Sequence, residues 1–175
     1  QVQIEDITSS TAMIAHQGPQ ATSMLAELTS ANLASMRLFS AIPALVAGTE
    51  ALVARTGYTG EDGFEMIVPS EATPGVWAAL MEKGAVPCGL GSRDVLRLEA
   101  GLLLHGNDMD TTVNPFEAGL DRFVEPDRDG YVAREALRRI RDEGPSRKLV
   151  GFQMQSRRIA RHGYAITDGS KQIGE

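Results

Sequence analysis

Tyr58 and Glu65 are the residues of this chain whose types and spacing best fit ligand chemistry. Both lie in the segment Ala54-Arg55-Thr56-Gly57-Tyr58-Thr59-Gly60-Glu61-Asp62-Gly63-Phe64-Glu65. Glycines at that density let a backbone turn tightly and approach a ligand closely. Glu65 sits inside the apolar run Phe64, Met66, Ile67, Val68, so its carboxylate lies either on the wet face of a strand or in the interior for a reason. A strand carboxylate can accept two parallel hydrogen bonds from an amidine-like edge, an N–H beside an NH₂, such as pterins and guanines present. Tyr58 would add a flat apolar face with a polar tip. The plainer reading is a hairpin loop whose acidic residues point to water, and on pattern alone that reading leads.

Arg93 and Arg97 form the second candidate group. In Gly91-Ser92-Arg93-Asp94-Val95-Leu96-Arg97-Leu98-Glu99-Ala100-Gly101 they stand one helical turn apart on one face. Asp94 precedes Arg97 by one turn and can partner it. Arg93 is the freer of the two and falls in the first turn, where the helix dipole disfavours a cation. A solvated arginine is the plain alternative to a binding role. Three further segments carry less. Leu104-His105-Gly106-Asn107-Asp108-Met109-Asp110 reads as a turn, because His105 has no second ligand at metal-binding spacing. The cluster Arg157-Arg158-Ile159-Ala160-Arg161-His162-Gly163 reads as a charged loop or as a docking surface for an acidic partner. Cys88, the single cysteine, follows Pro87 among apolar residues and reads as core.

The elements that must position these groups follow from periodicity and punctuation. Short strands are expected over Gln1 to Ile7 and Thr11 to His16. Gly18-Pro19 opens a helix over Gln20 to Leu28, and Asn32 to Ile42 is weakly helical. Glu50 to Arg55 and Phe64 to Pro69 form a strand pair around the glycine-rich turn. Thr73 caps a helix through Met81, with Pro74 in its first position and Val76, Leu80 and Trp77 on its buried face. A helix over Ser92 to Gly101 is closed by its glycine. Asn114-Pro115-Phe116-Glu117 reads as a compact helix start with a capping box, and Arg134 to Glu143 as a charged surface helix. Strands then follow at Lys148 to Gln153 and Lys171 to Glu175. The break at Gly144-Pro145-Ser146 is the best boundary, giving domains at 1–143 and 148–175 joined by a linker at 144–147. The fold class is α+β leading into a small β domain. Gln1 and the strand-like Lys171 to Glu175 make both ends read as cut from a longer protein.

Composition narrows the classes. The chain has 175 residues, 42% hydrophobic and 23% charged, with a net charge of −6. That balance suits a globular protein and gives no basic footprint for nucleic acid. No apolar run reaches the length of a bilayer span, so no membrane role is expected. One cysteine allows no internal disulfide. No dinucleotide fingerprint, phosphate loop or zinc motif is present.

Taken together, the motifs resemble the aminomethyltransferase, or T-protein, family of the glycine cleavage system. The resemblance runs over essentially the whole chain. It rests on His16-Gln17-Gly18-Pro19, Ala54 to Glu65, Arg93 to Gly101, Gly106-Asn107-Asp108-Met109, Asn114 to Leu120 and Ile159-Ala160-Arg161-His162-Gly163. It implies part of a three-domain, cloverleaf-like protein that binds tetrahydrofolate at its centre, with the start of a C-terminal β-barrel at residues 148–175. It implies that Glu65 is the pterin-binding glutamate, that Arg93 is a paired substrate-binding arginine, and that Tyr58 lines the same site. The implied partner is the lipoylated carrier H-protein. The implied reaction releases ammonia from the aminomethyl-lipoyl group and forms methylenetetrahydrofolate. The compartment would be the cytoplasm in a bacterium or the mitochondrial matrix in a eukaryote. The family's key aspartate falls in a stretch this sequence does not contain. So do a Thr-Ser-Gly segment expected after Glu175 and a further folate-contacting arginine, and no catalytic residue is therefore named in this chain. Two other readings are the folate-binding half of a dimethylglycine or sarcosine dehydrogenase and a non-catalytic folate-binding module akin to iron–sulfur assembly proteins. Those modules resemble the chain less at Thr56 to Gly63 and at Gly106 to Asp110.

Overall fold

The computed structural model describes residues 2–175. The chain divides into two compact units, Gln1–Leu104 and His105–Glu175. The break expected at 144–147 thus falls within the second unit.

The first unit is built on a four-stranded antiparallel sheet of β1 (Thr11–Gln17), β2 (Ala41–Val46), β3 (Thr49–Ala54) and β4 (Gly63–Pro69), in the order β1-β4-β3-β2. Alternation along β4 sends Phe64, Met66 and Val68 to the buried face and Glu65 and Ile67 to the other. The buried face meets Leu25 of helix α1 (Ala21–Ala26) and Val76 and Leu80 of helix α2 (Thr73–Glu82) in one core with Ile14, Val46 and Val53. The outer face carries an aligned row of Pro43, Leu52, Ile67 and Met13, one residue from each strand. The next row is Ala41, Ala54, Glu65 and Ala15. Helix α3 (Leu90–Glu99) ends in a paired cap: Gly101 N–H donates to Leu98 O at 3.0 Å and Leu102 N–H to Arg97 O at 2.8 Å.

Several expectations need correction. Residues 2–7 form no strand, and Gln1 lies outside the described residues. Asp6 accepts from Thr8 N–H at 3.0 Å and turns the chain into a 3₁₀ turn at Thr8–Ser10 before β1 begins. The stretch expected as weakly helical holds one 3₁₀ turn, Leu33–Ser35, and the start of β2. Ala72 rather than Thr73 stands at the N-cap of α2, because a 3₁₀ turn at Ser70–Ala72 runs into it. Thr73 instead donates to Pro69 O. Trp77 is 45% exposed, since it lies about 100° around the helix from Val76. Cys88 is exposed, not core.

In the second unit, Asn114 Oδ1 accepts from Phe116 and Glu117 N–H at 3.0 Å each, and Glu117 Oε2 accepts from Asn114 N–H at 3.1 Å. The expected capping box therefore forms. It caps a turn rather than a lasting helix, and Gly119 at φ +70° leaves the helical path. Helix α4 (Arg134–Glu143) keeps its expected bounds. Arg138 and Arg141 pair with Asp127, and Arg134 with Asp129. Lys148 to Gln153 forms no strand: Leu149 N–H donates to Glu117 O at 2.8 Å, but that single bond is not continued into a ladder among the described residues. A hairpin of β5 (Ile166–Asp168) and β6 (Lys171–Gly174) closes the chain. The His105 segment is a turn, with Gly106 N–H donating to Met109 O at 2.7 Å.

Candidate functional site

The glycine-rich segment is a loop over residues 55–62 that links β3 to β4 and is tied down from several sides. At its base Arg55 grips both Asp62 oxygens with the Nε–Nη2 edge of its guanidinium, at 2.9 and 2.7 Å, and donates a third bond from Nη1 to Met36 O at 2.8 Å. This planar fork holds the Asp62 carboxyl below its ordinary range and raises the Arg55 guanidinium above its own. Gly18 N–H donates to Asp62 O at 2.9 Å and extends the β1–β4 ladder by one rung. Tyr58 hydroxyl donates to Leu103 O, which fastens the loop's tip to the chain beyond α3.

Glu65 emerges on the outer face at the rung where β4 meets Ala54 and Ala15. Alanines on both neighbouring strands leave room beside the carboxylate. One of its oxygens accepts from Thr56 Oγ at 2.5 Å. The other accepts no hydrogen bond among the described residues. A shallow hollow of about 760 Å³ lies one row further along this face, over Pro43, Leu45, Leu52 and Ile67.

Arg93, in the first turn of α3, is exposed and places its guanidinium 5.0 Å from the Tyr58 ring centroid. That is within cation–π range. Arg97 takes the role expected of it: it is 2% exposed and pairs with Asp94 at 2.8 Å. Tyr58 and Arg93 are thus brought together, as are Glu65 and Thr56. Glu65 makes neither a hydrogen bond nor an ion pair with Arg93.

Beneath the site, His16 is paired with Phe64 in the ladder and buried, and its Nε2 has no hydrogen-bond partner. Burial lowers its pKa from 6.5, against a smaller opposing effect of a hydrogen bond with the Ala21 backbone. The folded state therefore holds His16 neutral where the unfolded chain takes up a proton. Stability is full above pH 6.5 and declines as pH falls from there toward the lower folded value. Denaturant midpoints taken from about pH 8 down to about pH 5 should fall in the parent and stay flatter in His16→Phe. Equal slopes in the two proteins would remove His16 as the cause. The Asp62 contribution lies in a separate window, being lost only as pH drops below 3.8.

The model of a family described as the GCVT N-terminal domain matches residues 1–128. The chain belongs to that family. Within it, the aminomethyltransferase of Thermosynechococcus vestitus is 43% identical over 174 residues, covering 99% of this chain and 48% of that protein. The aminomethyltransferase of Thermotoga petrophila is 46% identical over 178 residues, with 99% and 48% covered. The chain thus spans about half the length of the curated relatives it matches. A crystal structure of the glycine cleavage system aminomethyltransferase T from Bartonella henselae superposes with a TM-score of 0.83 at 32% identity, covering 91% of this chain and 44% of that one. The mixed α and β architecture is therefore that of a GCVT protein.

Sequence reasoning missed two members of the site. Thr56 holds Glu65, and Gln17 reaches into the same loop from β1. Gln17 entered only as part of a motif, and its placement depends on the Gln17–Gly63 pairing, which periodicity along one strand does not contain.

Proposed function

We propose that this chain supplies the tetrahydrofolate-binding part of a glycine cleavage system aminomethyltransferase. The observation that carries the reading is the Glu65 carboxylate, flanked by Ala15 and Ala54, with one oxygen steadied by Thr56 and the other without a donor. A carboxylate has about four lone-pair sites, so Oε2 keeps capacity beside its Thr56 bond. The pair of oxygens suits the amidine edge of a pterin, and the apolar outer row beside it suits a flat ring.

Glu65 is read as the residue that fixes the pterin edge, with Tyr58 as an aromatic wall and Arg93 as the cation stacked on that wall. When bound, reduced folate supplies the nucleophile that takes up the one-carbon unit as ammonia leaves. The chain's own contribution is orientation and electrostatics. The proposed partner is the lipoylated H-protein, which carries the aminomethyl group. In this reading residues 1–143 belong to the folate-binding part of a three-domain protein, with 144–147 as linker. Residues 148–175 begin its C-terminal barrel.

The test is calorimetry of tetrahydrofolate binding to the intact polypeptide and its Glu65→Gln variant. The variant replaces an acceptor by a donor that meets the pterin N–H. A charge-assisted bond of this kind contributes about 1.5–3 kcal/mol, so affinity should fall roughly tenfold or more. Unchanged affinity would remove Glu65 from the site.

A further inference from the structure

Gln17 is the last residue of β1, faces Gly63 across the ladder, and shares the outer face with Ala15 and Glu65. Its side chain reaches over Gly63 into the mouth of the loop. There the Nε2 group donates to Thr56 O at 3.0 Å and to Phe64 O at 3.2 Å. These two carbonyls belong to opposite legs of the loop. Both are acceptors only, so the amide must present its NH₂ to them; the flipped orientation would set an oxygen against two oxygens. Oε1 is buried with no partner, so the donor half of the amide is the part that makes bonds.

The loop's composition fits around this side chain. A Cβ placed on Gly57 would lie 1.9 Å from Gln17 Oε1, and its three nearest atoms all belong to Gln17. A Cβ on Gly63 would lie 2.6 Å from Gln17 Cδ. Gly57 is not among the residues with positive φ, so backbone conformation does not demand glycine there. A Cβ there would instead push the end of the flexible Gln17 side chain out of its two bonds.

We propose that Gln17 is a positioning residue for the ligand site: by tying Thr56 O to Phe64 O it sets the spacing of the loop's two legs, and through Thr56 Oγ it sets the attitude of the Glu65 carboxylate. The proposal rests on the reading of Glu65 as the pterin-binding group. The route is short and continuous: Gln17 to the Thr56 carbonyl, Thr56 Oγ to Glu65, and the Phe64 carbonyl immediately before Glu65.

The test is a double-mutant cycle in the intact polypeptide, with tetrahydrofolate as the probe, calorimetry for affinity and thermal unfolding measured alongside. Gln17→Ala removes both bonds and should weaken affinity by about tenfold, the scale of one to two modest hydrogen bonds. In a Glu65→Gln background the same change should have little further effect, because the group it positions is already lost. A merely structural role would give the same fold-loss in both backgrounds, and that result overturns the proposal. Gly57→Ala approaches the same contact from the opposite leg. It should weaken binding when Gln17 is present, and Gly57→Ala/Gln17→Ala should bind no worse than Gln17→Ala alone. If Gln17→Ala does not fold, the Gly57→Ala cycle with Glu65→Gln gives the same readout. Loss of folding in both variants would make the tie a requirement of the fold and overturn its role in the site. The two readings fail differently. Full affinity in Glu65→Gln sinks the site itself. A weakened Glu65→Gln beside unaffected Gln17 and Gly57 variants sinks the positioning role alone.

Discussion

Phe64→Ala should destabilise the first unit by about 3–5 kcal/mol, the range for deleting a fully buried aromatic side chain from a packed core. Phe64 has no exposed surface and stands in one cluster with Leu25, Val53, Met66 and Val76. That cluster draws on the sheet and on both helices, so filling a space left within it means moving an element. The Arg55 guanidinium also lies 5.9 Å from its ring centroid, which connects the core to the clamp at the loop's base. Ile67→Ala is the control. It lies on the same strand but on the outer face and is 39% exposed, so its truncation should cost well under half as much. Urea titration of both variants checks the ordering. Equal losses would mean that the outer face is packed as tightly as the inner one.

That contrast shows what was legible in the sequence. The strand pair around the loop could be read because two short apolar runs, Ala51 to Ala54 and Phe64 to Val68, flank a stretch punctuated by glycines. Helix α4 was readable because its charges and its bounding glycine leave no competing assignment. Val76 and Leu80 followed from a four-residue spacing, and the Arg97–Asp94 pair from a three-residue one. Local rules suffice for such features.

What stayed hidden depends on partners distant in the chain. Strand β2 carries Pro43 in its middle, which argues against a strand until the sheet order is known; β2 is then seen to be an edge, where a missing N–H is tolerated. Its turn to β3 places Ala47 and Gly48 at φ +48° and +79°, the two positive values of a tight hairpin, without the Asn-Gly or Asp-Gly that normally announces one. Residues 2–7 and Lys148 to Gln153 failed in the opposite sense. Their alternation is strand-like, but a strand exists only where a neighbour supplies a repeating ladder; Lys148 to Gln153 finds one isolated bond, Leu149 N–H to Glu117 O at 2.8 Å, and neither stretch is laddered among the described residues. The site divides in the same way. Glu65 stood out as a charge in an apolar run, whereas Thr56 became part of it only once β3 was paired with β4, and Gln17 only once β1 was.

The second large effect is expected at Gly60. Its φ of +79° is open to glycine and costly for a residue with a branched Cβ. A Cβ there would also lie 2.6 Å from Ala100 Cβ, at the C-terminal cap of α3, so the loop's tip sits against a rigid part of the fold. Gly60→Val meets both obstacles. Left-handed strain costs roughly 1–2 kcal/mol, and overpacking adds about 1–3 kcal/mol. The chain can relieve both only by lifting the tip away, which would draw Tyr58 from Leu103 and from Arg93. At the proposed folate site, tetrahydrofolate affinity should therefore fall together with thermal stability. Gly60→Ala separates the two causes. In combination with Ala100→Gly, the clash disappears and only the strain remains, so the double variant should recover part of the lost affinity. No recovery would mean that backbone strain alone accounts for the loss and that contact with the α3 cap does not hold the tip in place.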